Sequence, residues 1–218
     1  MIRAGRVLAA LLLAVTAFVA AGSAQPRPSR EQALANITKA DVETRREAAA
    51  WLGEVGTMAD APVLLRTLAD PDEVVRALAE HSVWQVWSRS GDAETDHLLQ
   101  IGIEQMSRHD GAAAAQTFSA VIQRRPDFAE GWNKRATVYF LMGEYQKSLQ
   151  DCDEVMKRNA SHFGALSGYG QIYLQLDQPE RALQYFRQAL RVNPNLRGLA
   201  EIIPQLERAL MERRKGTI

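Results

Sequence analysis

The chain has 218 residues, 46% hydrophobic and 24% charged, a mix that excludes a disordered, collagen-like or disulfide-stapled protein. Lys plus Arg is 26 and Asp plus Glu is 26, so no basic excess exists to neutralise phosphates, and nucleic acid is not an expected partner. A single cysteine, Cys152, rules out an intramolecular disulfide and any multi-cysteine metal site.

The N-terminus reads as an address. Arg3 and Arg6 precede an apolar run from Val7 to Ala21, which falls short of the roughly 20 apolar residues of a bilayer crossing. Gly22 and Ala24 suit the −3 and −1 positions of a cleavage site, so residues 1–24 read as a secretory signal peptide with Gln25 as the mature start; an uncleaved anchor is the alternative. A lone cysteine suits an oxidising compartment. Together these point to a periplasmic or secreted protein with no stable membrane span after cleavage. Residues 25–29 read as a short linker.

From residue 30 onward the pattern is one of short amphipathic helices. No stretch alternates cleanly or clusters β-branched residues, so no strand is expected. Over residues 30–92 the sequence repeats with a period of 31: Asp41 and Asp72, Arg45 and Arg76, Ala48 and Ala79, Leu52 and Val83, with Leu34 and Leu65, Ile37 and Leu68 upstream. Each unit is a short helix, a turn at the Asp, and a second helix that the Asp caps. The run Leu68-Ala-Asp70-Pro-Asp72-Glu-Val-Val75-Arg76-Ala-Leu-Ala79 resembles the short form of the HEAT repeat, and two such units are predicted.

Over residues 93–196 the period is 34. Small residues recur at Gly102, Ala136 and Gly170 and at Ala114, Ser148 and Ala182; large ones at Leu98, Trp132 and Leu166 and at Phe118, Cys152 and Phe186. Tyr139 and Tyr173 share a column, and Pro126 and Pro194 end the first and third units. This helix–turn–helix period resembles the tetratricopeptide repeat, most clearly in Gly170-Gln-Ile-Tyr173, Ala182-Leu-Gln-Tyr-Phe186 and Asn193-Pro194. The first unit departs from the pattern, with Gln105 for the aromatic and His109 for the turn glycine; it reads as the junction with the HEAT-like units. Residues 197–218 read as a polar-faced capping helix and tail, with Pro204 marking a kink or a helix start. The expected fold is an all-α solenoid of helical hairpins: two HEAT-like, three tetratricopeptide, and a C-terminal capping helix.

Catalytic chemistry has little to stand on in this sequence. His81, His97, His109 and His162 form no H-x-x-x-H pair, no G-x-S-x-G or Gly-rich phosphate loop occurs, and neither metal nor cofactor is expected. Cys152 stands in the Phe118/Phe186 column and reads as a small buried hydrophobe. Trp84 and Trp87 lie near the junction of the two arrays, as core packing or as an exposed aromatic edge.

The tetratricopeptide resemblance implies a concave groove that holds peptides. The positions it assigns to that groove are Leu99 and Ile103 in the first unit, Asn133, Lys134, Thr137 and Phe140 in the second, and Gln171 and Leu174 in the third. Asp96, Gln100, Met106, Glu130, Leu141, Gly164, Ser167 and Gln175 flank them. In one variant of the family Lys, Asn and Arg clamp a C-terminal carboxylate; here only Lys134 of that set stands in place. The alternative is that these residues pack on the HEAT-like half. The function the resemblance implies is a non-catalytic scaffold or adaptor that binds a protein or peptide. The rival is an accessory subunit of an envelope enzyme or of an envelope-assembly complex.

Overall fold

The computed structural model describes residues 27–216, and among these every regular element is helical. Eleven α-helices follow one another: α1 (Arg30–Asn36), α2 (Val42–Val55), α3 (Ala61–Thr67), α4 (Glu73–Trp87), α5 (Ala93–Ser107), α6 (Gly111–Arg124), α7 (Ala129–Leu141), α8 (Tyr145–Arg158), α9 (Phe163–Gln175), α10 (Pro179–Val192) and α11 (Arg197–Gly216). The signal-peptide reading falls on residues outside the described range. No described helix is long and apolar enough to cross a membrane.

The first array is two hairpins, α1/α2 and α3/α4, with α2 packed along α4. Both begin their second helix as the 31-residue period requires. Asp41 accepts from the Thr44 amide at 2.8 Å, and Asp72 from the Val75 amide at 2.9 Å. The repeated arginines hold the turns. Arg45 donates to the carbonyls of Lys39 and Ala40 and, through two nitrogens, to Asp70 at 2.8 and 3.0 Å. Arg76 donates to the equivalent carbonyls of Asp70 and Pro71. Where Arg45 has Asp70, however, Arg76 has Asn195, at 2.9 Å, from the turn between α10 and α11.

That contact sets the arrangement of the whole chain. Asn195 also donates to the Leu68 carbonyl at 2.8 Å, and Arg197 pairs with Glu73. Phe163, the first residue of α9, is 1% exposed and lies in the core of the first array, with Val192 and Leu196 packed against that core. The expectation that the first tetratricopeptide unit is the junction is therefore corrected. Among the described residues α4 makes no extended packing on α5 or α6. It lies instead against the turns that precede α9 and α11, because that is where large apolar side chains face it.

The second array runs α5/α6, α7/α8 and α9/α10, each helix packed on the next, with α11 closing the end against α10. Its 34-residue columns are packing columns. A Cβ on Gly102 would stand 2.4 Å from the Phe118 ring, and one on Gly170 would stand 2.2 Å from the Phe186 ring, so only glycine fits beside phenylalanine at these crossings. The turns repeat too: His109, Gly143 and Asp177 all take positive φ, at 60°, 76° and 51°. The first unit thus keeps the family's turn geometry without its glycine. Pro204 neither starts nor ends α11. Ala200 and Pro204 are both exposed, so water can serve the carbonyl that loses its donor.

Candidate functional site

The inner helices of the second array are α5, α7 and α9. Between α7 and α9 lies a cavity of about 50 Å³. Asn133, Thr137 and Phe140 line it from α7, Gly168 and Gln171 from α9, and Ser148 and Cys152 form its floor from α8. It opens where Cys152 occupies the column that carries Phe118 and Phe186 in the other repeats, so part of the space that a phenyl ring takes there is left unfilled. Gly168 leaves its wall low, since a Cβ there would make an ordinary 3.7 Å contact with the Cys152 sulfur. Such a volume seats the tip of one small apolar side chain. Burial pushes the Cys152 thiol up to about 12, so the floor is a thiol and not a thiolate.

One end of this seat is built on a buried ionic cluster. Glu130 is fully buried, and its carboxylate accepts from His162 Nε2 at 3.0 Å and from Asn133 at 3.1 Å, with Lys134 Nζ at 2.9 Å. Burial by itself raises the Glu130 carboxyl; the His162 hydrogen bond and the Lys134 charge outweigh it and hold the group below the usual range. His162 Nδ1 accepts from the Ala165 amide at 3.1 Å and so caps α9, which fixes the proton on Nε2. Trp87 stacks on the imidazole with centroids 4.4 Å apart, and Trp84 meets both His162 and Phe163 edge-on. Lys134 Nζ lies 5.9 Å from the Trp84 ring centre.

The residues assigned to the groove therefore divide. Asn133, Thr137, Phe140 and Gln171 are brought together on the cavity. Lys134 is drawn away to Glu130 and Trp84, and Gly164 faces Trp84 as well, with 2.6 Å between a would-be Cβ and that ring. Lys134 therefore packs on the first array, whereas Gly164 borders both Trp84 and the cavity. Leu99 is a correction: it is 0% exposed in the core of the first repeat with Phe118, Val121 and Val138, so no partner reaches it. Ile103 is half-buried at the edge of that core, and Leu174 packs at the edge of the third repeat's core. Trp87 is core and Trp84, half-buried, packs against that core, so neither is an exposed edge. Sequence reasoning missed the Glu130–His162 pair. The two are in different repeats and out of register by two positions, so no local spacing announces them.

Comparison with known proteins agrees with this geometry. The sequence model of the tetratricopeptide repeat matches residues 127–195. Over 146 residues the chain is 32% identical to a TPR repeat-containing protein of Rhizobium etli, covering 67% of this chain and 71% of that protein. It is 32% identical over 83 residues to anaphase-promoting complex subunit 7 of Dictyostelium discoideum, which is 38% of this chain and only 14% of that protein. Among solved structures, the first TPR domain of Spaghetti, bound to an HSP90 peptide, superposes with a TM-score of 0.52 at 20% identity over 55% of this chain and 96% of that one. The MamA protein superposes with a TM-score of 0.51 at 13% identity, over 73% and 88% of the two chains. At these identities the structural likeness is one of fold.

Proposed function

This chain belongs to the tetratricopeptide repeat family, and from that premise we propose that it is a non-catalytic adaptor of the bacterial envelope that binds a protein segment between α7 and α9. Domains of this family mediate protein–protein interaction, and one structural relative is bound to an HSP90 peptide. The observation that carries the reading here is the cavity on the inner helices. Asn133 and Gln171 place amide groups beside the apolar Phe140 ring and a glycine-lowered wall. A mixed apolar and amide rim suits an extended segment that inserts one small apolar side chain and hydrogen-bonds along its backbone. No carboxylate clamp is part of this reading, because Lys134 is engaged with Glu130.

In this proposal the two amino-terminal hairpins are HEAT-like repeats that brace the inner face, and residues 1–24 direct export and are removed. The test of binding is crosslinked capture from an envelope extract with the mature chain, followed by titration of the captured partner. Phe140→Ala and Gln171→Ala are expected to weaken it, Phe140→Ala by about 30-fold, as truncation of an interface anchor does. Unchanged affinity in both variants at an unchanged melting temperature would move the binding surface elsewhere. The test of export is N-terminal sequencing, expected to begin at Gln25; a full-length product held in the inner membrane overturns that half of the reading.

A further inference from the structure

The hydroxyl groups around the seat between α7 and α9 have spent their protons inside the protein. Thr137 donates to the Asn133 carbonyl at 3.0 Å, one helical turn back, and Ser148, on the floor, donates to the Ala136 carbonyl at 2.7 Å. Neither has a proton left for a guest, and the exposed Thr137 keeps its lone pairs. The Cys152 S–H is a weak donor, and Gln171, exposed on α9, can turn either edge of its amide outward.

Asn133 has no such freedom. Its Nδ2 donates to Glu130 at 3.1 Å. Burial alone would raise the Glu130 carboxyl, but the His162 hydrogen bond and the Lys134 charge hold it low, so the group is a carboxylate and can only accept. Turning the Asn133 amide over would set its oxygen against that carboxylate in a buried place. Neither Glu130 nor His162 borders the cavity, while Asn133 does, so the edge left toward the cavity is the one that carries Oδ1. That oxygen accepts from no group among the described residues and is not sealed from solvent. Two fixed acceptors one turn apart, Asn133 Oδ1 and Thr137 Oγ1, therefore stand at the rim of a cavity that holds one small apolar group beside the Phe140 ring. A guest that only accepts would leave both oxygens desolvated and unpaired; a guest that donates pairs them.

Resting on the peptide-binding reading above, we propose that the seat selects a main-chain N–H beside an alanine-sized side chain, from within a partner segment and not from its carboxyl end. Every residue but proline in a segment supplies one such N–H, and a terminal carboxylate supplies none. The selectivity is thus the reverse of a carboxylate clamp, which needs donors fixed where this seat has fixed acceptors.

The test titrates the nitrogen-15-labelled chain with acetyl-trialanine N-methylamide and follows the Gly168 amide and the Asn133 side-chain amide by NMR. A second probe replaces each alanine by lactic acid and ends in a methyl ester, which keeps the shape and every carbonyl, removes every N–H and is the more apolar. The amide is expected to saturate the seat, and the ester to need at least about 10-fold more. Acetyl-trialanine with a free carboxylate is expected to bind no tighter than the amide. Thr137→Val, at an exposed position, keeps the shape and removes the oxygen; it is expected to weaken the amide about 5-fold at an unchanged melting temperature, and Thr137→Ser to retain it. Equal saturation by amide and ester, or tighter binding of the free carboxylate, would overturn the proposal and leave the groove standing. No shift at the seat with any of the three probes would overturn the proposal and the peptide seat together.

Discussion

At the scale of the residue, the second array trades volume between two columns. Glycine faces phenylalanine at Gly102/Phe118 and Gly170/Phe186; in the middle repeat Ala136 stands in the glycine column and Cys152 in the phenylalanine column. The methyl of Ala136 takes space that a ring at 152 would need. Cys152→Phe is therefore expected to destabilise the protein by about 1–3 kcal/mol, as overpacking does. Adding Ala136→Gly should recover most of that loss, although Gly alone in that helix costs about 1 kcal/mol. Urea midpoints of the parent, both single variants and the double variant measure the coupling; strict additivity would contradict the register. The double variant also fills the peptide seat, so it should fold and fail to bind. The Cys152 thiol, pushed up to about 12, is expected to react with a thiol reagent at pH 8 only after unfolding. Rapid labelling of the native chain would contradict its place on the floor of the seat.

At the scale of the element, the two hairpins of the first array depend on their aspartate caps. Asp72 caps α4 and accepts from Arg46 at 2.7 and 3.0 Å, and the Arg46 guanidinium, with the Val75 amide, lowers its carboxyl from 3.8 to about 2. A carboxyl lowered by folding contributes stability above its ordinary value and loses it as pH falls toward the folded value. Asp72→Asn retains a capping oxygen but not the charge. The parent is expected to exceed it in stability at neutral pH, with the difference shrinking between about pH 4 and pH 2; a constant difference in acid-titrated melts would contradict the ion pair. The helices of the second array show how one position accepts different chemistry. Arg135 pairs with Asp151 at 2.8 Å and donates to Ser119; at the equivalent positions one repeat later, Tyr169 stacks on Tyr185 at 4.4 Å and donates to Asp153. An ion pair in one repeat and a ring stack in the next both brace an inner helix against the outer helix that follows it. His109 shows the cost of departing from the turn pattern: at φ 60° it is strained where Gly143 is not. His109→Gly is expected to raise stability by about 0.5–1 kcal/mol, measured by urea midpoint; a loss would mean that the imidazole makes a compensating contact.

At the scale of the molecule, the two arrays share a core. Phe163 belongs to α9 but is buried among Leu64, Val83 and Trp87 of the first array, and Trp84, Trp87, His162 and Lys134 form one aromatic and ionic contact across the boundary. The chain should therefore unfold in a single cooperative transition. Phe163→Ala removes the ring that both halves pack on and is expected to cost about 3–5 kcal/mol. It should also separate the signals. Trp51, Trp84 and Trp87 report on the first array and Trp132 on the second, so the loss of tryptophan fluorescence should precede the loss of helical circular dichroism. Coincident curves for the variant would mean that the arrays are joined by other contacts.

The helices, their caps and both repeat periods were legible in the amino-acid order, because each rests on neighbours within one turn or on the same position one repeat away. Asp41 and Asp72 cap at the spacing read for them, and Gly102 and Gly170 lie at the crossings where small residues recur. That Asn133, Thr137, Phe140 and Gln171 face one cavity could be read for the same reason, since a helix presents them at fixed angles. What the order could not decide is where the first array turns to find its next partner. That choice belongs to Asn195, which takes the place beside Arg76 that Asp70 takes beside Arg45, across 119 residues of chain. Lys134 was withdrawn from the groove by the same closure. A repeat period specifies what each unit offers on its faces; only the folded chain determines which of those faces are already covered by another part of itself.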